Sequence, residues 1–306
     1  MPPAFVAPLP DNAVIAVSGD DTAAFLHGQF TNDVEGLAEG GAQWSGWCTP
    51  KGRLYATFLL VRRRGDFLLV LPAEMAAAFA KRLAMYVLRS RVRIEDVSSS
   101  LACTGVAGDT AANAVAKLWG AAPAPMAAAQ SAGALCVGLE AQRFLVVSPA
   151  AGAEALREKL GAGGTREQWE WASVHAGVPT IVNATREAFV PQMANFELVG
   201  GVSFRKGCYP GQEIVARTQY RGILKRRMAL AHLAADERPQ PGDAVFSTAF
   251  GDQAAGTVVN VAAAPQGGYD ALVVAQVEGL AKRDLHWKSP GGPPLEIIAH
   301  PPLEAA

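Results

Sequence analysis

Residues 189–228 read FVPQMANFELVGGVSFRKGCYPGQEIVARTQYRGILKRRM, and their centre, KGCYPGQE at 206–213, decides how the chain is interpreted. Cys208 lies there in a Gly- and Pro-rich turn between a strand-like run and a helix-like run. Such a turn lets the backbone approach a ligand closely, and it can present a thiol at a helix N-terminus. Arg205 and Lys206 would favour the thiolate. The alternative is a small buried cysteine in a purely structural turn.

The same segment is basic, although the whole chain of 306 residues carries a formal charge of −1. Its only acid between 205 and 227 is Glu213, against seven basic residues: Arg205, Lys206, Arg217, Arg221, Lys225, Arg226 and Arg227. Arginine clusters suit bidentate binding of a carboxylate or a phosphate, such as the backbone of RNA. The alternative is a solvated helix face.

Two tryptophans, Trp169 and Trp171, precede a turn that reads HAGVP at 175–179. A tryptophan beside such a turn can stack on a flat heterocycle, although buried tryptophans more often belong to a core.

The pattern of residues that precedes this segment predicts two successive α+β units. In the first, apolar patterning predicts strands at 13–17, 54–61, 67–71 and 92–97 and helices at 22–29 and 74–90. The second helix takes its period from Met75, Phe79, Leu83, Tyr86 and Val87. A similar order recurs with strands at 101–106, 135–139 and 144–147 and helices at 111–119 and 154–160.

From residue 228 onward the pattern changes to short β-like runs separated by Pro and Gly turns, with no helical period. This predicts a small β-barrel or sandwich. The expected fold class is therefore α+β, with two α+β subdomains at 1–100 and 101–228 and a C-terminal β-barrel at 229–306. The polar candidates of the barrel, such as His232, Asp252 and His286, are isolated in sequence, so we expect it to carry no chemistry.

Composition excludes several classes of protein. Half of the residues are hydrophobic and 18% are charged, which is typical of a globular chain. The near-zero net charge removes a global electrostatic argument for binding nucleic acid or membrane. No apolar run approaches the roughly 18 residues that span a bilayer. The four cysteines are far apart and form no CxxC pair, which suits a reducing cytoplasm and predicts no metal site.

The string KGCYPGQE, followed by VAR and YRG and preceded by FVPQ and GGVSF, resembles the signature of the YgfZ family. The stretches GDDTAAFLHGQFTNDV at 19–34 and TPKGRLYATF at 49–58 resemble the opening domain of that family. The similarity covers most of residues 13–230. The members of the YgfZ family are folate-binding proteins related to the glycine-cleavage T-protein, with relatives in mitochondrial iron–sulfur cluster assembly.

The resemblance implies three domains in a ring around a central folate channel, with tetrahydrofolate or a derivative as cofactor. It implies support of iron–sulfur enzymes or assembly proteins, including tRNA methylthiolation. Cys208 would be the functional thiol, and Trp169 would contact folate. The other residues it assigns to the folate site are His175, Asn32, Gln192, Asn195, Arg217 and Arg221. The motif comprises Lys206, Gly207, Cys208, Tyr209, Gly211, Gln212 and Glu213.

The sequence departs from the T-protein where that enzyme carries out its chemistry. The strand that begins with an Asp pair in the T-protein matches residues 52–56 here, which have no carboxylate and place Tyr55 at the Asp position. His175 stands where relatives commonly have a Glu that holds the pterin ring, and Asn12 lies near the position of a second folate-contacting aromatic. Acid–base work at a folate nitrogen needs a positioned carboxylate. An accessory protein is therefore favoured over an enzyme.

Three hypotheses follow from the sequence. The leading one is a folate-binding accessory protein for iron–sulfur enzymes. The second is a folate-dependent aminomethyl or one-carbon transferase. The third is an RNA-binding module that makes a weak contact with tRNA through the basic stretch 205–227, and the lack of interleaved surface aromatics makes it the weakest.

Overall fold

The structure is a computed structural model that describes residues 4–222 and 224–303. Its strands are β1 (Phe5–Pro8), β2 (Asn12–Ser18), β3 (Ala42–Cys48), β4 (Leu54–Arg63), β5 (Asp66–Pro72), β6 (Arg93–Asp96), β7 (Leu101–Ala107), β8 (Ala128–Ser131), β9 (Ala134–Leu139), β10 (Arg143–Pro149), β11 (Arg226–Leu233), β12 (Ala244–Phe246), β13 (Gly256–Ala263), β14 (Tyr269–Gln276), β15 (His286–Trp287) and β16 (Leu295–Ala299). The α-helices of the described residues are α1 (Thr22–Gln29), α2 (Ala73–Ala84), α3 (Ala111–Trp119), α4 (Ala153–Leu160), α5 (Arg166–His175), α6 (Gln212–Arg221) and α7 (Val277–Lys282).

The first sheet is antiparallel, with the strand order β3-β4-β5-β2-β6. Alternate residues of a strand point to opposite faces. Ile15 therefore packs in the cluster that contains Phe25 of α1 and Phe79 of α2, whereas Val14 packs in the cluster shared with the second sheet. The sheet is buried on both faces, which explains why β4 reads as a continuous apolar run instead of an alternating one.

The second sheet repeats the strand order of the first, as β8-β9-β10-β7-β1 against β3-β4-β5-β2-β6. The two α+β units therefore share one topology, with β7 matching β2 and α3 matching α1. The edge strand is the exception, because β1 comes from the N-terminus and pairs with β7 where the first unit uses its own β6. Residues 5–8 thus lie in the second sheet, although the predicted division assigns them to the first subdomain.

The predicted helix at 74–90 is wrong at its C-terminal end, because α2 stops at Ala84. Leu88 has φ of +47° and is 89% exposed, so the chain has left the helix there. The residues that follow must turn back to enter β6, where Arg93 pairs with Ser18 of β2. Beyond the end of the helix, Tyr86 is 41% exposed, whereas Val87 still packs against the core of the first unit.

The third sheet has six strands in the order β15-β12-β13-β14-β11-β16 and curls into a half-barrel. The expectation of no helical period in this region is wrong, because helix α7 spans Val277–Lys282. One face of the sheet holds its own core around Val258, Val273 and Trp287. The other face packs with Phe189 and Phe196 of the irregular segment between α5 and α6.

No helix in the described parts of the chain is both long and apolar enough to cross a bilayer. Within the same residues, no group of three or more His, Cys, Asp or Glu side chains is placed to hold a metal ion.

Candidate functional site

The KGCYPGQE loop is fastened to the first α+β unit by two glycines. Gly211 has φ of +81°, and a Cβ on it would lie 2.3 Å from the Thr49 carbonyl oxygen and 2.7 Å from Gly52. Gly52, with φ of +68°, meets Ile214 of α6 just as closely. Only glycine fits both positions, because the backbones touch and the left-handed conformation disfavours side chains. The stretches 49–58 and 206–213, which are far apart in sequence, therefore form one structural unit.

Lys206 is buried and does not face solvent beside the thiol. Its ammonium donates hydrogen bonds to the carbonyl oxygens of His27 and Phe30, the latter at 2.6 Å, and it lies 5.0 Å from the centre of the Tyr209 ring. These carbonyls belong to the C-terminal end of α1, where a cation is stabilising. Lys206, which the sequence predicted to favour the thiolate of Cys208, therefore also anchors the loop to α1.

Burial lowers the pKa of Lys206 from 10.5 to about 8, against the opposing charges of Asp33 and Glu35. Between these pH values the unfolded chain binds more protons at this residue than the folded chain does, so its contribution to stability rises with pH. We expect the free energy of unfolding of the wild type, relative to Lys206→Met, to increase between pH 8 and 10.5. Urea unfolding at three pH values measures this. The exposed neighbour Lys51→Met serves as the control, and a pH-independent difference for Lys206→Met would contradict the prediction.

Cys208 is the exposed thiol of the motif, whereas Cys48, Cys103 and Cys136 are buried. Burial raises the pKa of all three buried thiols, to about 12 for Cys103 and Cys136. Glu213 and Gln212 open helix α6 behind Cys208, and Gly207 and Arg205 beside it are exposed. The structure thus presents a single accessible sulfur among its four cysteines.

Three amides predicted in the folate site tie backbone segments together. Asn32 donates to the carbonyl oxygens of Trp44 (2.8 Å) and Gly200 (2.7 Å). Gln192 donates to the Val215 carbonyl oxygen in α6 at 2.8 Å, and Asn195 donates to the Met228 carbonyl oxygen in β11 at 2.8 Å. None of the three lines the large cavities described below.

The basic stretch divides into buried and exposed parts. Lys206 is buried, and Arg227 is paired with Glu197 and donates to the Gln192 carbonyl oxygen at 3.0 Å. Arg205, Arg217 and Lys225 are exposed, and Arg217 does not line the cavities. The side chain of Arg221 lies outside the described residues.

His175 faces the third sheet. Its Nε2 lies 2.8 Å from Oδ2 of Asp270, which also accepts a hydrogen bond from Nε1 of Trp171 at 2.8 Å. Nδ1 of His232 lies 2.8 Å from the other oxygen, Oδ1. The prediction that His232 is isolated is therefore wrong, because β11 and β14 place it directly opposite Asp270. His286, likewise predicted to be isolated, lies 3.0 Å from Asp284.

Two neighbouring cavities, which share Asn12, Trp169 and Ser173 among their lining residues, lie where α5 meets the three sheets. The outer one, about 700 Å³, is lined by first-unit residues such as Asn12 and Glu74 and by third-sheet residues such as Asn260. The inner one, about 110 Å³, is lined by residues of the first two sheets, including Trp44 and Thr57. A volume of 300–1,000 Å³ is typical of small-molecule sites.

Trp169 lines both cavities. Its indole packs against Gly105 of β7, where a Cβ would lie 2.3 Å from Cε3 of the ring, so a glycine is required at this position. The guanidinium carbon of Arg143 lies 5.6 Å from the ring centre on the inner side. Trp169 therefore stands in the common wall of the two cavities, between the first two units.

Arg143, which the sequence did not single out, is 2% exposed and lines the inner cavity. Its Nη1 donates to Oγ of Ser173 at 3.1 Å, and burial lowers its pKa to about 10. The residue opens strand β10, directly before the apolar run that the sequence predicted as a strand at 144–147. A feature of the sequence that could have indicated its burial is that this charged residue is followed directly by four apolar residues.

Comparisons with known proteins agree with this architecture. Residues 12–135 match the model of the GCVT N-terminal domain. The "tRNA-modifying protein YgfZ" of Klebsiella pneumoniae (strain 342) is 32% identical over 241 residues, which is 77% of this chain and 73% of that protein. The protein of the same name from Photorhabdus laumondii is 34% identical over 240 residues, with the same coverage.

Among solved structures, the glycine cleavage system aminomethyltransferase T from Bartonella henselae superposes with a TM-score of 0.67. The match covers 96% of this chain and 84% of that one at 17% identity, so it shows the fold alone. It confirms the predicted α+β fold class.

Proposed function

Because the chain belongs to the YgfZ family, we propose that it is a cytoplasmic, folate-binding accessory protein that supports assembly or repair of iron–sulfur enzymes, including those that methylthiolate tRNA. The observation that carries the proposal is the pair of neighbouring cavities that both have Trp169 in their lining. Tetrahydrofolate joins a flat heterocycle to an aromatic ring and an acidic tail. The outer cavity has the volume and the tryptophan that such a ligand requires.

The polar groups of the outer cavity support binding more than catalysis. Its carboxylates are already engaged: Asp11 and Glu170 pair with Arg166, and Glu74 accepts a hydrogen bond from the Asn183 backbone at 2.7 Å. Tyr55 is buried, and the guanidinium carbon of Arg82 lies 4.4 Å from the centre of the Tyr55 ring. A one-carbon transferase needs a free carboxylate near the folate nitrogen.

The test is a comparison of two assays on the purified protein. Calorimetric titration with tetrahydrofolate is expected to show binding, and an assay for folate-dependent transfer of a formaldehyde equivalent from a glycine-like amine is expected to show no turnover. Absence of binding would reject the proposal, and turnover would replace it by the transferase.

Trp169→Ala is expected to weaken tetrahydrofolate binding about tenfold, because aromatic stacking contributes about 0.5–1.5 kcal/mol beyond burial and 1.4 kcal/mol is one decade. Trp119→Ala, in helix α3 and outside the walls of this pair of cavities, is the matched control. Titration of both variants measures the effect. Unchanged affinity in a folded Trp169→Ala protein would assign the residue to the core alone.

A weak contact with tRNA is a second part of the proposal. Arg205, Arg217 and Lys225 are exposed, and Tyr220, on the same helix as Arg217, is 70% exposed, which supplies the surface aromatic that the sequence had not indicated. Three phosphate contacts predict a log–log slope of tRNA affinity against salt of about −2 to −3. Filter binding from 50 to 200 mM salt measures the slope, and Arg217→Ala should reduce it by about one. A slope near zero would exclude the contact.

A further inference from the structure

The inner cavity contains buried hydrogen-bond donors that have no acceptor. Nε and Nη2 of Arg143 are buried and, among the described residues, make no hydrogen bond. Nε1 of Trp44, in the wall of the same cavity, is also buried without a partner. The hydroxyl of Thr57 is satisfied, because it donates to the Pro179 carbonyl oxygen at 2.9 Å and accepts from the Ile181 N–H at 3.0 Å.

This set of unpartnered groups is unusual for a purely structural interior. Buried polar groups in folded proteins are nearly always hydrogen-bonded, and an unsatisfied charged group is the most costly of them. The side-chain atoms of Arg143 and Trp44 that lack partners are all donors, so the cavity is complementary to acceptors. A guanidinium fork is suited to a planar group that offers oxygen atoms.

We infer that the inner cavity is a recognition site for a hydrogen-bond-accepting oxygen on a planar group of the ligand, and that Arg143 is the residue that selects for it. This inference rests on the proposed function and adds which part of the ligand is recognised and which residue recognises it. The volume of about 110 Å³ admits the oxygen-bearing edge of a group, while the outer cavity of about 700 Å³ holds the remainder. In a folate, the oxygen comes either from the oxo group of the pterin ring or from the benzoylglutamate half, which offers an amide carbonyl and carboxylates.

The positions of Ser173 and Trp169 prepare Arg143 for this role. Ser173 holds Nη1 at 3.1 Å, and the Trp169 ring lies beside the guanidinium at 5.6 Å. Both residues belong to α5, so one rigid helix fixes the orientation of the fork. Nε and Nη2 of Arg143 remain without a partner, so an acceptor on the ligand that bonds to them would remove the cost of burying them unsatisfied.

The experiment compares the wild type with Arg143→Met, Arg143→Lys and the exposed control Arg89→Met, using tetrahydrofolate, 6-methyltetrahydropterin and p-aminobenzoylglutamate as probes. Arg143→Met should bind tetrahydrofolate about ten- to a hundredfold more weakly, because it removes hydrogen bonds to a charged donor. Its thermal midpoint without ligand should be equal to or higher than that of the wild type, since an apolar side chain replaces an unsatisfied buried charge. Arg143→Lys should also bind more weakly, because it lacks the planar fork.

The two fragments identify the oxygen. A loss on Arg143→Met that appears only with the pterin fragment assigns the ring oxo group, and a loss only with the benzoylglutamate fragment assigns an oxygen of that half, either its amide carbonyl or a carboxylate. Equal affinity of all variants for tetrahydrofolate would overturn the inference while leaving the proposed function intact. If Arg143→Met does not fold or is markedly destabilised, Arg143 is structural and the inference is wrong. If the wild type binds no probe, both fail; if it binds one fragment through Arg143 but not tetrahydrofolate, only the proposed function fails.

Discussion

Cys208→Ala is expected to abolish support of iron–sulfur enzymes in the cell while leaving folding and folate binding intact. The thiol is exposed, and Cys208 does not line the cavity pair in which folate is proposed to bind, so its loss should not disturb that site. A deletion strain complemented with each variant and scored for tRNA methylthiolation gives the first readout. Thermal unfolding and tetrahydrofolate titration of the purified variant give the second.

Cys208→Ser separates the chemistry of sulfur from the volume of the side chain. Serine keeps the turn geometry and a polar group but lacks a thiolate, so it should fail in the complementation assay as alanine does. Normal methylthiolation with either variant would show that the motif is only a structural turn.

Alkylation tests the thiol directly. With iodoacetamide at neutral pH, Cys208 of the native protein should react at least about tenfold faster than the other three cysteines, because those are buried and burial raises their pKa values. Mass spectrometry of peptides resolves each site. A rate for Cys208 no higher than that of free glutathione would show that the loop exposes the thiol without activating it.

The parts of the fold that follow from local pattern were predictable. Helix α1 occupies 22–29 as predicted, and the hairpin of β4 and β5 turns at Arg64 and Gly65, between the two predicted apolar runs. In both places the residues that set the structure are neighbours in sequence. The position of β1 in the second sheet could not be predicted in this way, since it depends on pairing with β7, about 100 residues later.

The candidate site shows the same division. The glycine-rich motif was recognisable because the close contact of Gly211 with Thr49 requires particular residues at fixed positions. The buried donors of the inner cavity were not predictable. Arg143 and Trp44 lie on different sheets, and the sequence does not reveal that a charged residue at a strand end is buried. Asp270 is a further case: register alone brings it opposite His232.

Asp270→Ala is expected to be the most destabilising single change in the third sheet. The side chain of Asp270 is fully buried, and its two oxygens hold Trp171 and His175 of α5 and His232 of β11. Removing the carboxylate leaves those groups without their acceptor at the contact between α5 and the half-barrel. Breaking a buried charged network typically costs about 3–5 kcal/mol. Asp252→Ala, an exposed site in the same region, should change stability by no more than about 0.5 kcal/mol.

The pH dependence identifies the carboxylate as the source of that stability. Burial acts to raise the pKa of Asp270, but hydrogen bonds from His175, His232 and Trp171 outweigh it, so the pKa lies below its ordinary value of 3.8. A lowered carboxyl pKa contributes stability that is present above the unfolded value and is lost as the pH falls through the folded one. In urea unfolding, the advantage of the wild type over Asp270→Ala should therefore hold above about pH 4 and shrink below it. Asp270→Asn should lose less than Asp270→Ala, because its one carbonyl oxygen can still accept from Trp171. If the alanine variant unfolds at the same urea concentration as the wild type at pH 7, Asp270 does not hold α5 to the half-barrel.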